Sequence, residues 1–144
     1  TLEMIPYVEA FATIDIYWYL TVKVTKDFTP AGSANVTVYR NDSLVAKGFT
    51  DKDGKIIFLL PQAKITADKR LDLGNYKVMA EADGLSGEKD VYLYCTMTVE
   101  IFLLSPWLLA LIMMMVAAVI IFISQEIQKR KAEKEVHEHQ LSSL

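Results

Sequence analysis

The sequence predicts a mainly β protein, an extracytoplasmic antiparallel β-sandwich followed by one C-terminal transmembrane α-helix. Residues 101–123, IFLLSPWLLALIMMMVAAVIIFI, contain no charged side chain. At roughly 1.5 Å per residue, a helix of this length reaches about 35 Å, enough to cross a hydrocarbon core of about 30 Å. Before this run, short stretches of alternating apolar and polar residues are separated by turn residues, a pattern typical of a β-sandwich.

Three segments follow from these patterns. We assign residues 1–100 to the sandwich, 101–124 to the transmembrane helix and 125–144 to a partly helical cytoplasmic tail. Ser105 and Pro106 are typical of a helix start, because Ser caps free N–H groups and Pro has no N–H to leave unpaired. A buried core helix is the alternative, but such helices are rarely uncharged over this length.

Basic residues follow the apolar run and are almost absent before it. They are Lys129, Arg130, Lys131 and Lys134. Residues 86–100 contain only one basic residue, Lys89. The positive-inside rule therefore places the C-terminus in the cytoplasm and the sandwich on the other side. The chain begins at Thr1 rather than Met, which is compatible with removal of a signal peptide and equally with a fragment.

Alternation, turn residues and one continuous apolar run at residues 56–60 together predict six strands. They are residues 13–25, 35–40, 43–49, 56–60, 76–82 and 91–99. In the first strand one face is apolar and predicted to be buried: Ile14, Ile16, Trp18, Leu20, Val22 and Val24. The Asp and Gly residues of 51–54 predict a hairpin turn between residues 43–49 and 56–60. Residues 62–73 are polar and predict a long loop or a short helix.

Only Glu100 separates the last predicted strand from the apolar run. With so short a tether, we expect the sandwich and the helix to behave as one nearly rigid unit.

Residues 36–85, with the two residues before them, resemble the carboxypeptidase regulatory-like modules, which are small transthyretin-like sandwiches. The matching stretches are Ala34–Val38, Gly48–Phe58, Leu60–Pro61, Gly74–Val78 and Asp83–Leu85. The resemblance implies a structural, adhesive or accessory domain, and membrane-anchored members are similar to accessory subunits of larger assemblies. The chain departs from the pattern between Pro61 and Gly74, where the family usually has a short link. We expect this insertion either to alter a sheet edge or to make a partner contact.

Residues 1–100 contain no histidine and one cysteine, Cys95. This excludes most metal sites and catalytic triads there. Cys95 is interpreted as a small buried apolar residue, with a thiol that pairs with another subunit as the alternative. Asp51 and Asp53 are interpreted as turn residues rather than as a cation site, because a calcium loop needs further oxygen ligands.

The remaining chemistry is equally sparse. His137 and His139 are two residues apart, a spacing that points their rings away from each other on a helix. We therefore expect no enzymatic activity, no cofactor, no metal and no small-molecule substrate. No basic stripe suited to nucleic acid is present.

Aromatic and small residues supply the candidate partner contacts. In the sandwich these are Tyr17, Tyr19, Tyr92 and Tyr94, which would form one patch if their strands were neighbours; a scattered arrangement is the alternative. In the helix they are Trp107, Ala110 and Ala117, the alanines allowing close helix contact. Sequons at Asn35 and Asn41 are possible glycosylation sites on the side assigned to the sandwich.

Two functions follow. The first is a non-catalytic single-pass accessory or structural subunit of a larger membrane protein complex, which contacts membrane lipid and other subunits through its sandwich and helix. The alternative is an extracytoplasmic binding or adhesion module that recognises glycan or peptide through the tyrosines.

Overall fold

A computed structural model describes residues 12–144. The chain divides into two compact units, one ending at Leu104 and one beginning at Ser105. The first eleven residues, which the predicted sandwich included, lie outside the described residues.

The described part of the first unit is built of strands. They are β1 (Ile14–Lys26), β2 (Thr29–Pro30), β3 (Asn35–Arg40), β4 (Ser43–Phe49), β5 (Lys55–Ile65), β6 (Arg70–Asp72), β7 (Asn75–Ala82), β8 (Leu85–Tyr92) and β9 (Met97–Leu103). The second unit is one helix, α1 (Pro106–Ser142). The predictions for residues 35–40 and 43–49 are confirmed at both ends.

The strands form two sheets, so the predicted sandwich is confirmed. In the first sheet, β5 and β2 pair with successive parts of one edge of β1, β6 pairs with β5, and β9 pairs with the other edge of β1; the second sheet has the order β4-β3-β7-β8. All these pairings are antiparallel except that of β1 with β9, which is parallel. The first sheet is therefore mixed at this one edge.

The core lies between the two sheets and is formed by alternate residues of their inner faces. From the first sheet it contains Leu20, Val22, Val24, Phe58, Leu60, Val99, Ile101 and Leu103. From the second sheet it contains Val36, Val38, Tyr76, Val78, Ala80 and Val91, with Ala31, Ala34 and Leu93 from connecting segments. Burying a Val or Leu side chain contributes about 1.5–3 kcal/mol, so this cluster is the main source of stability.

The N-terminal half of β1 does not follow the predicted burial. Leu20, Val22 and Val24 are fully buried, but Ile14 is 41% exposed and Trp18 is 37% exposed. Alternation alone predicted one continuous buried face. The core of the described residues covers only the C-terminal half of this strand.

The predicted hairpin between residues 43–49 and 56–60 is wrong, although the turn itself is present. Strand β4 pairs with β3 in the second sheet, whereas β5 pairs with β1 in the first. The turn packs against β1, since the N–H of Val24 donates to the carbonyl of Gly54 at 2.7 Å. It therefore delivers the chain from one sheet to the other.

The prediction of a loop or short helix at residues 62–73 is also wrong. Strand β5 continues to Ile65 and turns back into β6. Tyr17 is opposite Pro61 and Ile16 is opposite Ala63, so Gln62 is the extra residue of a β-bulge. A bulge is where a strand tolerates proline, which has no N–H to donate. The apparent insertion is thus an extension of the first sheet.

Residues 91–99 are not one strand. Strand β8 ends at Tyr92 in the second sheet, and β9 begins at Met97 in the first. The intervening residues carry the chain between the sheets, where Leu93 is buried and its N–H donates to the carbonyl of Gly74 at 2.8 Å. Cys95 in this crossover is half-buried, not fully buried as expected.

The start of the predicted transmembrane segment belongs to the sandwich. Strand β9 runs to Leu103, with Val99, Ile101 and Leu103 buried. Burial at every second residue therefore continues into the first three residues of the apolar run. The sequence does not reveal this alternation, because all three of these residues are apolar. The tether is Leu104 and Ser105, not Glu100.

The helix starts at the predicted position, although the Ser105 side chain makes no capping hydrogen bond to it. Ser105 is the N-cap residue, Pro106 lies in the first turn, and the N–H of Leu109 donates to the carbonyl of Ser105 at 3.1 Å. The helix continues without interruption to Ser142 and has no buried residue. Residues 125–144, which were expected to be partly helical, are therefore helical as far as Ser142.

The packing of the 51–54 turn against β1 gives a testable prediction. Gly54 has a φ of +72°, and a Cβ there would lie 2.5 Å from the carbonyl oxygen of Val24. We expect Gly54→Ala to destabilise the fold by about 1–2 kcal/mol through its left-handed backbone, and by a further ~1–3 kcal/mol through the clash. Denaturant unfolding of the full chain in detergent measures the difference.

Gly84→Ala is the matched control, since Gly84 has a φ of +75° and no atom within 4 Å of the added Cβ. It should show only the backbone contribution. Equal destabilisation by the two substitutions would contradict the packing of this turn against β1.

Candidate interaction site

The outer face of the first sheet carries an exposed apolar cluster. Tyr19 is directly opposite Leu59, Tyr17 is opposite Pro61, and Ile57 is two residues from Leu59 on the same face. The exposed fractions of Tyr17, Tyr19, Ile57 and Leu59 are 49%, 53%, 63% and 56%. We call these four residues the outer patch. Opposite residues in antiparallel strands have Cβ atoms about 4.5–5.5 Å apart, so the patch is continuous.

Charged residues bound the outer patch along the strands. At one end Lys23 donates to Glu100 Oε1 at 3.2 Å, with Lys55 opposite Lys23 in the register. At the other end Asp15 is opposite Lys64. An apolar surface rimmed by polar residues is typical of a contact with a protein or a membrane.

The predicted tyrosine patch is divided between two places. Tyr17 and Tyr19 lie on β1 in the first sheet, whereas Tyr92 ends β8 in the second sheet and Tyr94 lies in the crossover. The condition that their strands be neighbours is therefore not met. Both pairs are exposed, the first on the outer face of the first sheet and the second at the end of β8 and in the crossover.

Tyr92 and Tyr94 form the second aromatic cluster. Their ring centroids are 6.5 Å apart with an interplanar angle of 23°, and their exposed fractions are 46% and 63%. The hydroxyl of Tyr92 donates to Asp72 Oδ2 at 2.6 Å, and the N–H of Gly74 donates to Asp72 Oδ1 at 3.0 Å. The bond between Tyr92 and Asp72 ties the end of β8 to β6 in the other sheet.

The hydrogen bond between Tyr92 and Asp72 shifts the pKa of both side chains. It is the largest cause that lowers the pKa of Asp72, with the Gly74 N–H and Arg70 acting in the same direction. It is also the largest cause that raises the pKa of Tyr92, because the phenol is held as a donor. Burial raises the pKa of Tyr76, whose hydroxyl donates to the carbonyl of Pro61.

An open depression of about 440 Å³ lies beside Tyr92. Its lining includes Tyr39, Asn41, Asn75, Lys77, Asp90 and Tyr92. The mixture of aromatic faces and polar groups suits a ligand with hydroxyl or amide groups.

Three further sets of candidates lie elsewhere. Trp107, Ala110 and Ala117 are exposed on α1, and their spacing of three and seven residues places them on one side of the helix. The sequon at Asn41 lies in the exposed β3–β4 turn, whereas Asn35 is half-buried in the interior strand β3. Asp51 Oδ1 accepts from the N–H groups of Asp53 and Lys55, both at 2.9 Å. Its interpretation as a turn residue is confirmed.

Sequence reasoning missed Ile57 and Leu59. The signal was available, because residues 56–60 read IIFLL without a polar residue. A strand with one solvated face alternates, whereas an uninterrupted apolar strand is typical of one covered on both faces.

Within residues 12–144 no group of three or more His, Cys, Asp or Glu side chains is arranged to hold a metal ion.

The sequence matches no protein-family model and no curated protein. Among solved structures, the chain is similar to that of Klebsiella pneumoniae 5-hydroxyisourate hydrolase, with 18% identity and a TM-score of 0.43 over 60% of this chain and 84% of that one. A likeness at this level carries no argument about activity.

The bond between Tyr92 and Asp72 gives a prediction that can be measured. We expect Tyr92→Phe to raise the pKa of Asp72 toward its ordinary value of 3.8, because the strongest donor to the carboxylate is lost. Carboxyl titration of the full chain by NMR measures this shift. Tyr94→Phe, which leaves the hydrogen bond intact, is the control.

The pH dependence of stability has a definite sign. Since the pKa of Asp72 is lower in the folded state, its stabilising contribution is present above the unfolded value and is lost as the pH falls through the folded value. Tyr92→Phe should therefore destabilise at neutral pH and have little effect in strong acid. A destabilisation that does not change with pH would contradict the assignment.

Proposed function

We propose that this chain is a non-catalytic, single-pass membrane protein that serves as an accessory or structural subunit of a larger membrane protein complex. Its outer patch would contact a partner subunit outside the cytoplasm. Its helix would cross the bilayer with the C-terminus in the cytoplasm.

The outer patch is the observation that carries this proposal. Four large apolar side chains, each about half exposed or more, lie side by side on one sheet face. Exposed apolar surface of this kind is unfavourable in water, and tyrosine is enriched at protein interfaces because it combines a large buried area with a polar tip. A covering partner would also explain the uninterrupted apolar sequence of β5.

The helix supports the membrane part of the proposal. It contains an 18-residue window with a mean hydropathy of 2.8, and none of this window is buried. The basic residues that follow favour a cytoplasmic C-terminus by the positive-inside rule. The strip formed by Trp107, Ala110 and Ala117 offers a small-residue surface for a neighbouring helix.

Substitution within the outer patch tests the partner contact. We expect Leu59→Asp to weaken co-purification of partner chains by more than about tenfold, because a carboxylate would be buried without a partner in the interface. The full-length tagged chain is extracted with mild detergent from the membranes that contain it, and the complex is analysed by size and mass.

Leu44→Asp is a matched control, since Leu44 and Leu59 are both 56% exposed but lie in different sheets. It should leave the complex intact. A monodisperse monomer from the wild-type chain, or equal effects of the two substitutions, would count against the subunit proposal.

A second function is favoured by the cluster of Tyr92 and Tyr94. Two near-parallel exposed rings next to a depression lined by aromatic and polar side chains are suited to stacking against a sugar or a peptide side chain. In this alternative the sandwich would be a binding or adhesion module.

The alternative makes a separate prediction. Tyr94→Ala should abolish affinity of the full chain for a soluble oligosaccharide or peptide, whereas Tyr17→Ala, in the outer patch, should leave it unchanged. Titration calorimetry against a panel of such ligands measures both. Absence of binding to the whole panel would remove the support for this function.

A further inference from the structure

Within residues 12–144, three two-residue hairpin turns have positive φ at both central positions, as type I′ turns require. They are Asp27-Phe28 between β1 and β2, Asn41-Asp42 between β3 and β4, and Asp83-Gly84 between β7 and β8. Asn, Asp and Gly are the residues that adopt this conformation readily. Phe28, at a φ of +66°, is the exception.

The Phe28 side chain packs little against the described part of the sandwich. It is 71% exposed, and a bulky aromatic residue at positive φ is a steric outlier. A strained residue with an exposed apolar side chain suggests a contact outside the described chain. The position of the turn indicates what that contact is.

The Asp27-Phe28 turn lies at the end of the sandwich from which the chain leaves for the helix. Strands β1 and β9 run parallel with Lys26 opposite Leu103, and the N–H of Asp27 donates to the carbonyl of Leu103 at 2.9 Å. Only Leu104 and Ser105 then precede Pro106. Chain connectivity alone keeps Leu103 within about 11 Å of the first helical residue.

Other exposed apolar side chains lie at this end. Phe102 is 60% exposed and Leu104 is 40% exposed. The charged residues at this end include Lys26, Asp27 and Asp83, of which Lys26 and Asp83 form an ion pair, and also Asp51, Lys52 and Asp53 of the turn that packs against β1. Acidic side chains outnumber basic ones in this group, which does not favour attraction to anionic lipid headgroups.

We propose that Phe28, together with Phe102 and Leu104, inserts into the interface of the bilayer that α1 crosses. The inference rests on the proposed membrane anchor and deepens it, since it gives the sandwich its own lipid contact. Aromatic side chains are favoured at this depth, where the ring is desolvated beside the headgroups. The contact is apolar, so it requires neither anionic lipid nor low salt.

Lipid quenching in the full-length protein tests the proposal. Cys95 is replaced by Ser, and a single cysteine placed at position 28, 42 or 114 is labelled with a small fluorophore. The protein is reconstituted into phosphatidylcholine vesicles that contain lipid with a spin label near the headgroup or deeper in the acyl chain.

Each position has a defined role. Position 114 lies within the apolar part of α1 and reports on the anchor. Position 42 is the matched control, because Asp42 occupies the same type of turn with a φ of +61°. Strands β3 and β7 are antiparallel, and the ion pair of Lys26 with Asp83 places the β7–β8 turn at the Phe28 end. Position 42 is therefore at the opposite end, about 25 Å away along the strands.

We expect the label at position 28 to be quenched severalfold more strongly by the shallow spin label than the label at position 42. Strong quenching at position 114 with equal, weak quenching at 28 and 42 would overturn the lipid contact and leave the anchor intact. Absence of quenching at position 114 would overturn both. A label at position 102 repeats the test without altering the turn, and it should follow position 28.

Discussion

The pairing of β1 on both of its edges is the constraint on which the rest of the sandwich depends. One edge bonds to β5 and β2 and the other to β9. Its inward residues, Leu20, Val22 and Val24, are fully buried at the centre of the core. Its outward residues face solvent together with those of β5. A single strand thus organises the core, the outer patch and the exit toward the helix.

The connections between the sheets are fixed by backbone hydrogen bonding as much as by packing. Thr50, which is buried, accepts from the N–H of Ala34 and donates to the carbonyl of Ala31 at 2.5 Å. This pair of bonds satisfies polar groups where β4 leaves the second sheet, and an unpaired group at such a place typically costs about 1–3 kcal/mol. The Asp51 and Gly54 turn then completes the passage to β5. The polar residues here position the strands and have no role in the proposed function.

Local patterns predicted the sandwich and the helix start but not the sheet to which each strand belongs. Period two identified β3, the Asn41-Asp42 turn identified β4, and Ser105 with Pro106 identified the start of α1, because these signals are contained in neighbouring residues. The hairpin after β4 failed because a turn sequence specifies a reversal of the chain, while the partner of the next strand is chosen by distant residues of β1. Proline and polar residues hid the continuation of β5, which depends on a bulge.

The candidate site was predictable to a similar degree. Exposure of Tyr17 and Tyr19 followed from alternation, and the uninterrupted apolar run of residues 56–60 held a signal for Ile57 and Leu59. That these two residues adjoin the tyrosines emerged only from the register of β1 against β5. Phe28 could not be singled out from sequence, since its importance lies in a positive φ and in its proximity to Leu103. Both features are properties of the folded chain.

Photo-crosslinking in the intact membrane tests the central claim most directly. A photoreactive amino acid is placed at position 57 in the outer patch or at position 44 in the second sheet. The account predicts that position 57 forms a crosslink to one defined membrane protein and that position 44 does not. Equal crosslinking from both positions, or none from position 57, would contradict it.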